Sequence, residues 1–117
     1  MPLDPTKQAR DAAEAIRKLN HATLTPKQPI PAPVISSTMH SLEQLLNRLP
    51  QALEQLSSQL HNRQAHGAVR MDDGTDPGHA VSIARSELAA TVQALHAATR
   101  HLDEAASLLF HMGAPWA

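Results

Sequence analysis

"LEQLLNRLPQALEQL", residues 42–56, has the pattern of an amphipathic helix with a proline in its middle. Whether Pro50 ends that helix or only bends it decides between a bundle of long helices and a set of shorter pieces. Around it, Met39, Leu42, Leu46, Leu49, Leu53, Leu56 and Leu60 alternate at spacings of three and four, the mark of a heptad seam. A helix restarting at Pro50 would take Leu49 as its N-cap, and leucine has no side-chain acceptor for the free N–H groups. Continuing the helix sacrifices the bond to the Leu46 carbonyl, at about 3 kcal/mol. Burying six leucines at about 1.5 to 3 kcal/mol each outweighs that loss. The balance predicts one Pro-kinked helix over about residues 37–66, capped by Ser36 or Ser37 and stopped at Gly67, with Pro50 beside the seam and not in it.

Working outward, "LDPTKQARDAAEAIRKLNHATL" opens with Asp4 as N-cap and Pro5 at the first helical position. Ala9, Ala12, Ile16, Leu19 and Thr23 continue at helical spacing, so a first helix is expected over about 5–23. Glu14 and Lys18 stand four apart in the favourable order, and Lys7 and Asp11 in the weaker reverse order. Prolines at 26, 29, 31 and 33 then predict an extended strap over 25–35, with Ile30, Val34 and Ile35 as apolar residues to pack.

"GAVRMDDGTDPG" is rich in turn residues and predicts a loop over 67–76, where Asp76 and Pro77 repeat the opening of the first helix. The third helix is expected over about 77–111, with Val81, Ala84, Leu88, Val92, Leu95, Leu102, Ala105 and Leu109 facing the core. It is the longest predicted element, so it should extend well beyond what the first helix can cover. A tail over 112–117 ends in "GAPWA".

Composition agrees with an all-α chain. Hydrophobic residues make up 42% against 18% charged, while Phe110 and Trp116 are the only Phe, Tyr or Trp present, so a core must be built from leucine and alanine. Those residues favour helices, and the β-branched and aromatic residues of strands are sparse. The expectation is a three-helix bundle forming a single helical domain over 1–117.

A formal net charge of −1, with both signs interleaved, gives no basic field for a phosphate backbone and disfavours nucleic acid as a partner. The absence of cysteine removes disulfides, thiolate metal sites and cysteine nucleophiles. No N-terminal apolar run and no stretch of 18 apolar residues is present, so no membrane span is expected and the cytoplasm is the default location.

Eight histidines invite a metal or proton role, but on the third helix His79, His96, His101 and His111 spread over a broad sector without an i, i+4 pair, and His61 and His66 are five apart. A solvated face explains them better than a metal site. "DDGTDPGH" gathers Asp72, Asp73, Asp76 and His79, yet the calcium-loop order is missing and its bidentate glutamate position is Ile83, so turn and cap chemistry is the simpler reading. Ser37 and His40 are close in sequence but lack an elbow motif and an orienting acid. No catalytic residue, cofactor site or metal ligand is assigned. The cluster Leu108, Leu109, Phe110, Met112 and Trp116 supplies the candidate interface residues, because nearly all the aromatic character gathers there; an end plug for the bundle is the competing role.

"DAAEAIRKLNHATL", together with "RLPQALEQL" and the Ala-rich third helix, resembles small all-helical proteins of high-GC actinobacteria, some encoded on mobile elements. That group carries no assigned activity, so the resemblance implies a helical fold and transfers no site residues. The functional expectation is a non-enzymatic interaction or scaffold module that works by protein contact and self-associates, as a homodimer for example. The alternatives are an accessory regulator of DNA transactions on a mobile element and a histidine-based metal or pH sensor.

Overall fold

A computed structural model describes residues 4–112. It contains three helices, α1 (Pro5–Leu24), α2 (Ala32–Ala65) and α3 (Pro77–Phe110), and no strand among the described residues, which is the all-α class expected. Where the sequence reading drew a single domain, the chain divides between Pro31 and Ala32 into two units.

In the first unit, α1 is defined by local chemistry. The Asp4 carboxylate accepts the Thr6 backbone N–H at 3.0 Å, and Pro5 occupies the first turn, where its missing N–H has no helical acceptor to serve. Along its flank Lys7 pairs with Asp11 at 2.7 Å. Glu14 takes Arg17, three residues on, at 2.6 Å, and not the Lys18 that the sequence pattern offers. The Arg17 guanidinium holds the Glu14 carboxyl below its ordinary value, and the same contact raises Arg17. No α1 side chain is buried; Ile16 and Leu19 are half-exposed and Leu24 is open to solvent.

In the second unit, α2 and α3 pack together. The helix α2 runs unbroken through Pro50, as the energy balance predicts. Its start is five residues earlier than expected, so the segment between α1 and α2 shortens to 25–31 and bends at Thr25, Lys27 and Gln28 where an extended strap was expected. Pro33 falls in the first turn, where a helix tolerates proline. Ser36 and Ser37 are therefore interior residues and not caps, and the Thr38 hydroxyl already donates to the Val34 carbonyl at 2.8 Å. At the other end Gly67 adopts φ +69°, the Ala68 N–H reaches the Arg63 carbonyl at 2.8 Å, and the Gly67 N–H reaches Gln64 at 3.0 Å. These are the paired bonds of a Schellman stop. In the loop, Gly74 turns the chain at φ +78° and its N–H bonds to the Met71 carbonyl at 3.1 Å. Asp76 then accepts the Gly78 N–H at 3.0 Å and caps α3.

The helices run antiparallel. The Gln64 amide lies 3.6 Å from where a Cβ on Gly78 would stand, and Arg85 Nε donates to Ser57 Oγ at 3.0 Å. As numbers rise on α3 they fall on α2 by equal seven-residue steps, and the next pair at that step, Pro50 and Val92, is buried on both sides. Both helices have 34 residues, about 51 Å at the usual rise. The early start of α2 makes the two lengths equal.

Candidate interaction surface

The contact line on α2 passes through Glu43, Pro50, Ser57 and Gln64, spaced by seven; on α3 it passes through Gly78, Arg85 and Val92. Pro50 is thus in the contact line, still beside the leucine seam, and it is the buried residue of α2. Its compact apolar ring suits the close approach. By contrast Glu43 Oε2 is buried there without a hydrogen-bond partner among the described residues.

The leucines lie to one side of that line. Leu42, Leu49 and Leu56 each precede a contact-line residue by one position, a rotation of about 100° about the helix axis. Ala84, Thr91 and Ala98 do the same on α3, and Ala105 continues their column. Because the helices run in opposite directions, equal rotations carry both columns to the same face of the hairpin. Between them stand Leu46, Leu53 and Leu60 on α2 and Leu88, Leu95, Leu102 and Leu109 on α3, all half-buried. On the outer column Leu49 keeps 38% and Leu56 54% of its surface open. Among the described residues only Pro50, Val81 and Val92 are buried. The seam expected to form a core is half-buried for most of its length and opens to solvent at Leu49 and Leu56, with no charge in the four columns. The seven-residue recurrence of Ala84, Thr91, Ala98 and Ala105 is the sequence signal for the α3 edge of this face.

Compared with known proteins, the chain matches no protein family, no curated protein and no solved structure.

The cluster at the end of α3 falls into parts. Leu109 is half-buried within the apolar face, whereas Leu108, Phe110 and Met112 keep 63%, 78% and 51% of their surfaces open. Phe110 stacks edge-on against His111 with centroids 5.5 Å apart, and Trp116 lies outside the described residues.

Other candidate groups have structural occupations. Asp73 Oδ1 accepts the Thr75 hydroxyl at 2.6 Å and the Thr75 N–H at 3.1 Å, which holds its carboxyl below the ordinary range. Asp76 is the cap of α3. All eight histidines are exposed. His40 Nε2 lies 3.3 Å from the Gln44 amide, and His66 Nδ1 lies 2.8 Å from the Asn62 carbonyl. Among the described residues no group of three or more His, Asp or Glu is placed to hold a metal ion, and no helix is long and apolar enough to cross a membrane. A cleft of roughly 400 Å³ opens between the helices, lined among others by Leu53, Glu54, Ser57, Arg85, Leu88 and Val92. Its guanidinium is engaged by Ser57.

Proposed function

We propose that this chain is a non-enzymatic helical interaction module of the cytoplasm, and that the open face of the α2/α3 hairpin is the surface it offers to another protein. The observation that supports this reading is the exposure of Leu49 and Leu56 on a face without charge from Ile35 to Leu60 of α2 and from Ala84 to Leu109 of α3. Large contiguous apolar patches mark interaction sites, because leaving them in water forfeits about 25 cal/mol for each Å² not buried. The histidines and the Asp73 loop supply no convergent site that competes with this surface.

The test is the size of the native assembly. In an extract of cells producing it, the protein should migrate as a complex larger than its own 12.6 kDa. Leu49→Glu combined with Leu56→Glu should abolish that complex while circular dichroism still shows the helices. A wild-type chain that stays monomeric in the extract overturns the reading.

A further inference from the structure

We propose, building on that reading, that the partner closing the open face is a second copy of this chain, turned about a twofold axis parallel to the helices so that the leucine column of each copy seats against the small-residue column of the other.

The first argument is area. From Ile35 to Leu60 the face without charge runs about 38 Å, and across two helices each about 10 Å wide it presents about 760 Å². A standard protein interface needs about 800 Å² from each partner. The equal lengths of α2 and α3 mean that two hairpins stacked face to face leave no uncovered end. The product is a four-helix bundle in which every neighbouring pair is antiparallel.

The second argument is register. A twofold axis parallel to the helices leaves heights unchanged, so α2 of one copy lies over α3 of the other in the register already fixed within the hairpin by Ser57 with Arg85 and Gln64 with Gly78. Leu49 then stands level with Gln93, between Thr91 and Ala98 of the second copy. Leu56 stands between Ala84 and Thr91, and Leu42 between Ala98 and Ala105. Each bulky side chain stands two residues, about 3 Å along the axis, from one small residue and five residues from the next, so it falls within a gap between two small ones, as knobs-into-holes packing of a helix pair requires. A twofold axis across the helices would instead set leucine against leucine and alanine against alanine, which crowds one seam and hollows the other.

The chain has no cysteine, so introduced thiols report the geometry directly. Purified protein at about 50 μM should sediment at about 25 kDa, twice the chain mass of 12.6 kDa. Leu49→Glu should weaken dimerisation at least 100-fold. Ala98→Glu, which alters an exposed residue of the hairpin, should do the same should the first variant fail to fold. On oxidation, a chain carrying both Leu49→Cys and Thr91→Cys, which stand two residues apart in this register, should form a covalent dimer, and neither single variant should. Efficient cross-linking of Leu49→Cys alone overturns the parallel axis. A purified monomer whose extract complex is larger overturns self-association but leaves the interaction module standing; a monomer in both settings overturns both.

Discussion

Two edges of α2 lie one residue apart in sequence and behave in opposite ways. The edge through Glu43, Pro50, Ser57 and Gln64 is mostly polar and meets α3, whereas the edge through Leu42, Leu49 and Leu56 is wholly apolar and faces outward. The difference separates two influences that hydrophobic periodicity merges. The rotation of α2 against α3 follows from the corner geometry and from which side chains permit close approach. The position of the leucines reflects everything the helix must eventually cover, including surfaces outside the hairpin.

The largest effect expected on this contrast comes from Val92→Asp. An unpaired charge in the contact line should cost about 3 kcal/mol or more and lower the midpoint of urea unfolding sharply. A change below about 0.5 kcal/mol would show that the line is not the seat of the hairpin's burial. Pro50→Ala comes next and has the opposite sign. Restoring the helical bond to Leu46 recovers about 3 kcal/mol, while losing the buried ring costs about 1 to 2 kcal/mol, so unfolding should become harder by about 1 kcal/mol. A destabilised variant would mean that the ring itself positions α3.

Smaller again is Asp76→Ala, which frees the Gly78 N–H and should remove about 1 kcal/mol from the hairpin. The matching change at Asp4 should reduce only the helical signal of α1. The smallest effect is read by titration. The Asp73 carboxyl should protonate below its ordinary value of 3.8, held there first by the Thr75 hydroxyl and then by the Thr75 N–H. A depressed folded value means that the turn's contribution is fully present above 3.8 and is lost as pH falls through the lower folded value. Thr75→Val should move the NMR midpoint of Asp73 upward; an unmoved midpoint would remove the hydroxyl from that account.

Much of the fold was legible because it is local. The caps at Asp4 and Asp76, the prolines that follow them and the Gly67 stop are each decided within a few residues, and the structure places them where the sequence puts them. The passage of α2 through Pro50 was legible from energy alone. The start of α2 was misplaced because a run of prolines reads as a break, although Pro33 falls in the one turn where a helix accepts it. The direction from α2 to α3 was not legible, since a leucine arc this broad fits several rotations and the contact line carries Glu43 and Ser57. Of the candidate interface residues, Leu108, Phe110 and Met112 are exposed, as an interface role requires, and Leu109 belongs to the open face. The outer leucine edge emerges only when the packed side is subtracted.

The corner between Gly67 and Asp76 also sets an order of events during folding. Each end of it is fixed by bonds within the loop itself, so Gln64 and Gly78 can meet first, then Ser57 and Arg85, then Pro50 and Val92, each pair enclosing a longer stretch of chain at a modest additional entropic cost. The hairpin can close like a zipper from its turn, with low contact order and a correspondingly fast rate. Pro50, well along that track, is where the closing helices must accommodate a residue that donates no bond of its own.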